Sequence, residues 1–154
     1  MMETRRIFLV RSAGLVALAG GVLAGGRSQA TPQAMAALIA EIAAGREIKK
    51  GKVTLDLPPL IDNGNAVPMT VTVDSPMSER DYVKTIHVVN EKNPQPHVIV
   101  CHLGPRSGRA AFSTRIKLAD AQTVTAIAEM SDGTLWMDSA SVIVTLAACL
   151  EDIL

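Results

Sequence analysis

Two cysteines and three histidines are the residues of this 154-residue chain best suited to bind a metal or to form bonds to sulfur. His97, Cys101 and His102 stand close together, and a metal centre is the first chemistry they suggest. Their segment, His97 to Leu103, nevertheless reads as a strand. On an extended chain residues four apart are separated by about 13 Å, and His102 points to the face opposite Cys101, so one ion cannot join all three. No metal and no cofactor is expected. Neither cysteine belongs to a Cys-x-x-Cys pair, which removes support for a zinc ribbon or a thioredoxin-type redox site.

Taken singly, the cysteines differ. Cys101 shares its predicted strand face with Ile99 and Leu103, the pattern of a small apolar side chain packed in a core. Cys149 follows the last predicted strand and stands five residues from the chain end, where burial is usually weakest. A carrier or nucleophilic thiol must be reachable and partly ionised, and this position allows both. A bridge from Cys101 to Cys149 is the rival reading: it would close a long loop and add about 3 to 5 kcal/mol. Ser, His and carboxylate residues occur without a Gly-x-Ser-x-Gly elbow, a phosphate-binding glycine loop or a His-Glu-x-x-His helix. The chain therefore reads as a carrier or binding module and not as an enzyme.

The compartment bears on those thiols. Thr4-Arg5-Arg6-Ile7-Phe8-Leu9, the apolar run Ser12 to Gly26 and the small residues of Ser28-Gln29-Ala30 read as a twin-arginine export signal, residues 1–30, removed at a cleavage site after Ala30. A periplasmic location is expected, with no membrane association once the signal is gone. Residues 31–154 then form one domain in an oxidising compartment, where thiols tend to pair, within a chain or between two copies. Formal net charge is zero and the mature part has no long basic block, so nucleic acid is not an expected partner.

The elements that must position these residues follow from periodicity. Met35, Leu38, Ile39 and Ile42 recur at helical spacing, predicting a helix over Gln33 to Ala44 with Gly45 at its end, and a basic connector, Arg46 to Lys52, leads out. Pro58 and Pro59 exclude a central strand, and Asn63-Gly64 signals a turn. From Val67 the period becomes two: strands are predicted at Val67 to Asp74, Lys84 to Val89, His97 to Leu103, Ala111 to Leu118, Val124 to Met130 and Val142 to Leu146, with a hairpin at Ser131-Asp132-Gly133-Thr134 feeding Leu135 and Trp136. Short strands at this spacing behind a single helix predict a mainly β fold, an immunoglobulin-like antiparallel β-sandwich with an N-terminal helix.

Several short motifs, in this order, resemble the SoxY family: Leu57-Pro58, Ile61-Asp62-Asn63-Gly64 with Val67-Pro68, Ser75-Pro76-Met77, Tyr82-Val83-Lys84, Asn93-Pro94-Gln95-Pro96, Ser113 to Ala119, and Ala128 to Trp136. The resemblance implies a sandwich that pairs with a SoxZ subunit, and a C-terminal cysteine, here Cys149, that carries intermediates of thiosulfate oxidation. It further implies transient partners: a SoxAX-like haem enzyme that loads thiosulfate, a SoxB-like hydrolase that releases sulfate, and a sulfane dehydrogenase. The tail departs from the family, reading Ala147-Ala148-Cys149-Leu150-Glu151-Asp152 where the family has Gly-Gly-Cys-Gly-Gly. Side chains in place of glycines narrow the backbone freedom of the arm, and Glu151 and Asp152 repel a dianion, so altered reading enzymes or altered cargo are expected.

Overall fold

A computed structural model describes residues 30–145, so the twin-arginine segment and the tail with Cys149 lie outside the described residues. Helix α1 (Pro32–Ala43) begins where Thr31 accepts a hydrogen bond from the Ala34 amide at 3.0 Å, with proline in the first turn. It ends one residue before the predicted boundary. Ala44 takes the left-handed conformation with φ 48°, a cost of about 1 to 2 kcal/mol for a residue with a Cβ, and Gly45 follows at φ 79°. Arg46 offsets that cost: its guanidinium donates to the carbonyls of Ile42 and Ala43 at the helix end and to that of Gly133, and pairs with Glu129 at 3.3 Å. One side chain thus caps the helix and fastens it to a hairpin far along the chain.

Nine strands follow among the described residues: β1 (Ile48–Lys50), β2 (Val53–Asp56), β3 (Leu60–Ile61), β4 (Val67–Val73), β5 (Val83–Asn90), β6 (His97–His102), β7 (Ala111–Ile116), β8 (Gln122–Met130) and β9 (Leu135–Val144). The larger sheet has the order β1-β9-β8-β5-β6, with β3 also beside β9, and the smaller one has the order β2-β4-β7. All pairings are antiparallel except those of β1 and β3 with β9. The fold is the expected immunoglobulin-like sandwich.

Alternation in β4 buries Val67, Met69, Val71 and Val73, which with Val53 and Leu55 of β2 face Ile86 and Val88 of β5 and Val124, Ala126, Ala128 and Met130 of β8. The opposite face of β8 is covered as well, because Ile127 packs with Leu135 and Ala43 beneath Ile39 and Ile42 of α1. A strand covered on both faces reads as a mainly apolar run, and Val124 to Met130 is interrupted only by Thr125 and Glu129.

Two features differ from the expectation, and a third, Pro68 within the predicted strand, has a local explanation. The basic connector contains β1, whose partner is remote in sequence, and β2 and β3 are short strands whose periodicity is too brief to register. Leu135 to Val144 is one ten-residue strand and not a hairpin end followed by a separate strand, because its polar centre is satisfied by other strands. Pro68 lies inside β4 but beyond the end of β2, whose pairing stops at Thr70, so the strand has a single neighbour there and the missing N–H is tolerated.

Truncation of the fully buried Ile86 to alanine should lower the unfolding free energy by about 2 to 5 kcal/mol in urea titrations. The same change at Val100, which is 40% exposed, should cost less than about 0.5 kcal/mol.

Candidate functional site

The last described residues form the root of the cysteine-bearing tail. Val142 is buried and Val144 packs against the core, while Ile143 points outward beside its register partner Leu60, both well exposed. Backbone bonds run from Ile143 N to Pro59 O and from Thr145 N to Ile61 O, each 2.9 Å, and the Thr145 hydroxyl donates to Asp62 O at 3.1 Å. Asp62 opens a turn closed by Asn63, whose Oδ1 accepts the Asn65 amide at 2.9 Å, and the carbonyl of Gly64 receives Leu118 N at 2.8 Å. The motif Ile61-Asp62-Asn63-Gly64 therefore fixes the point from which the tail departs. Cys149 itself lies outside the described residues.

The same end of the sandwich holds a polar clamp built on Asn93. Its Oδ1 accepts from Ala119 N and Gln122 Nε2, its Nδ2 donates to Lys117 O, and its backbone carbonyl takes Ala30 N at 2.9 Å. Nearby, Lys92 and Asp120 form an exposed ion pair at 2.9 Å, and the hydrogen bond from Lys92 holds the Asp120 carboxyl below the usual range. Asn93 is a staple between two loops, not a ligand.

Cys101 sits where the pattern placed it, half-buried on the inward face of β6 among the partly buried residues that pack on the core. The histidines are arranged otherwise. A bulge between Val88 and Val89 leaves Val98 as an extra residue on β6, so that Val98 and Ile99 both pack inward and His97 turns to the outer face with His102. There it meets His87 of β5. The His87 Nδ1 to His97 Nε2 distance is 3.4 Å, with ring centroids 5.6 Å apart and planes inclined by 25°. His102 Nδ1 lies 3.3 Å from Thr85 Oγ1. Spacing alone missed His87 because its partner comes from the neighbouring strand and is aligned by a bulge; its place in an alternating run was the available signal. Among the described residues no three histidine, cysteine or carboxylate side chains converge as a metal centre.

Glu129, on the neighbouring strand, is raised by burial, but hydrogen bonds and charge from Lys84 and Arg46 outweigh this and hold it below the usual range. His87 is lowered by burial and by His97, with a partial offset from Glu129.

An immunoglobulin-like sandwich that anchors its final strand just before a cysteine-bearing tail is the class of protein so defined. The family model for sulfur oxidation protein SoxY matches residues 39–149, ending on Cys149. The chain belongs to the SoxY family of sulfur carriers. No curated protein matches it. Among solved structures it is similar to the sulfur carrier protein SoxY of Chlorobium limicola f thiosulfatophilum, with TM-score 0.61 and 22% identity over 74% of this chain and 98% of that one. It is also similar to the superoxide reductase (neelaredoxin) of Ignicoccus hospitalis, with TM-score 0.56 and 13% identity over 63% and 94% of the two chains. A putative superoxide reductase of Thermotoga maritima gives TM-score 0.52 and 19% identity over 64% and 88%. At these identities the structural likenesses show a shared fold.

Because folding lowers the His87 pKa, the unfolded chain takes the proton more readily, and stability rises with pH. This contribution is present above the ordinary imidazole value of about 6.5 and is lost as pH falls through the lower folded value. Urea midpoints should therefore drop on acidification from about pH 7.5 to about pH 5.5. His87→Gln should shrink that drop; an unchanged slope in the variant would assign it to other groups.

Proposed function

We propose that the chain is an exported, periplasmic sulfur carrier that holds sulfur-oxidation intermediates on Cys149 and presents them to separate enzymes, as a heterodimer with a SoxZ-like subunit. The observation that carries this reading is the family match ending on Cys149, together with a final strand pinned at Thr145, four residues earlier. A tail held at its root suits a group that must visit several partners. Four residues span at most about 14 Å, which sets how far the thiol can travel from Thr145.

The chemistry asks for little beyond a thiolate. Cys149 and thiosulfate join through a new sulfur–sulfur bond while two electrons pass to a SoxAX-like haem partner. Water then attacks the terminal sulfonate in a SoxB-like hydrolase, releasing sulfate and two protons and leaving a persulfide on Cys149, which a sulfane dehydrogenase can oxidise further. The covalent bond keeps each intermediate from diffusing away. Glu151 and Asp152 place negative charge beside the thiol, so loading should be slower than with a glycine-flanked cysteine.

The rival reading, a structural module closed by a Cys101–Cys149 bridge, meets a distance argument. Register places Cys101 level with Ile86, Ala128 and then Trp136, across three strand spacings. Those spacings amount to about 14 Å, and the eight residues from Trp136 to Val144 add about 27 Å at right angles, so Cys101 and Val144 are about 30 Å apart. The five residues from Val144 to Cys149 span at most about 18 Å, and disulfide Cα atoms lie within about 7 Å. On these spacings the bridge falls short by about 5 Å, which weighs against the rival reading. Each thiol is left to act separately within one chain, which supports the carrier reading, and a bridge between the Cys149 residues of two copies stays compatible with it.

Intact-mass analysis after incubation with thiosulfate, a SoxZ-like subunit and the haem partner should show a reducible adduct on the wild type and on Cys101→Ala, and none on Cys149→Ser. An adduct that survives Cys149→Ser would sink the assignment. Peptide mapping without reductant should yield no Cys101–Cys149 linked peptide, and finding one in the monomer would restore the rival reading.

A further inference from the structure

We infer that His87 and His97 form a two-imidazole binding site for a tetrahedral divalent transition-metal ion, with Zn2+ matching its span, on the outer face of the larger sheet. This inference is independent of the carrier reading, since the pair lies on a different face from Cys101 and involves no residue of the tail.

The first support is geometric. His87 Nδ1 and His97 Nε2 are 3.4 Å apart. Good hydrogen bonds to nitrogen donors close to between about 2.7 and 3.2 Å, so the two rings are poor partners for each other. Two nitrogens each about 2.1 Å from a shared ion and separated by this distance subtend about 108° at it, the tetrahedral value that zinc adopts. A linear two-coordinate ion would need a wider separation. The second support is the mounting. The rings project from adjacent antiparallel strands whose ladder fixes their spacing, and the bulge at Val98 is what turns His97 toward His87. A bulge that re-aims a side chain recurs beside functional sites. Without it, His97 would follow Ile99 and Cys101 into the core.

The third support is chemical. Imidazole suits borderline ions such as Zn2+, Cu2+ and Ni2+, and binds them in its neutral form. No other described side chain completes the set: Glu129 is taken by Lys84 and Arg46, His102 is engaged with Thr85, and Cys101 faces the core. His97 is exposed, so the remaining coordination positions face solvent. The site is therefore exchangeable, with two protein ligands and room for water or a small anion, unlike a closed structural zinc site.

Zn2+ should be titrated into the full chain carrying Cys101→Ala and Cys149→Ser, which removes both thiols, in competition with a chromophoric zinc chelator. One equivalent is expected to bind. His87→Gln and His97→Gln should each weaken binding at least tenfold, and His102→Gln should leave it unchanged. Long-range imidazole NMR of the protein with its three histidines should show zinc-dependent shifts at His87 Nδ1 and His97 Nε2, a readout that does not depend on how the variants fold. Absence of zinc uptake, coordination through other nitrogens, or an equal loss in His102→Gln would overturn the proposal.

Discussion

The continuity of β9 is the constraint on which the rest of the structure depends. Its ladder with β8 runs from Leu135 to Val142, and its other edge receives β1 near the start and β3 near the end. The polar residues in its middle are held, not merely tolerated. Asp138 accepts the Leu55 amide of the smaller sheet at 2.9 Å, and Ser139 meets Thr125 at 2.8 Å. Asp138 is half-buried, and it satisfies the Leu55 amide, which left without a partner would cost about 1 to 3 kcal/mol. One strand consequently joins the helix corner at Gly133, the contact between sheets at Asp138 and the tail root at Thr145. Breaking it would release all three from one another.

That strand also gives the molecule two chemically distinct ends. At one, Arg46, Glu129 and Gly133 lock the helix to the β8–β9 hairpin, and Trp136 lies level with Cys101 three strands away. At the other, the Asn93 clamp and the turn at Asp62 hold the loops beside Thr145. Cys101 stands at the corner far from Thr145, and packing its side chain against the core limits its access to outside reagents.

The motifs that mark the family are corner residues more than site residues. Asn63 bonds to backbone in its own turn and Asn93 to that of a neighbouring loop, Asp132 accepts both the amide and the hydroxyl of Thr134, and the Ser75 hydroxyl receives the Met77 amide while Met77 adopts φ 48°. Asp132 is held below the usual carboxylate range by the Thr134 amide and hydroxyl, which shows how fully its charge is used locally. Corners need particular side chains because each must satisfy specific backbone groups, while apolar residues on a strand exchange freely. The resemblance is legible for that reason.

From the sequence alone came the long strands from β4 to β8, the helix, the inward face of Cys101 and the outward face of His102, all of which follow from periods of two and of about 3.6 that any one segment displays by itself. The identity of the thiol nearest the chain end was equally plain. Tertiary structure decided what depends on partners distant in the chain: β1 and β3, which exist because β9 lies beside them; the unbroken course of β9 through Asp138 to Ser141; and the meeting of His87 with His97 across a bulge. It also decided the separation of Cys101 from the end of β9, because strand order in a sheet is set by pairing between segments and not by the local pattern of either one.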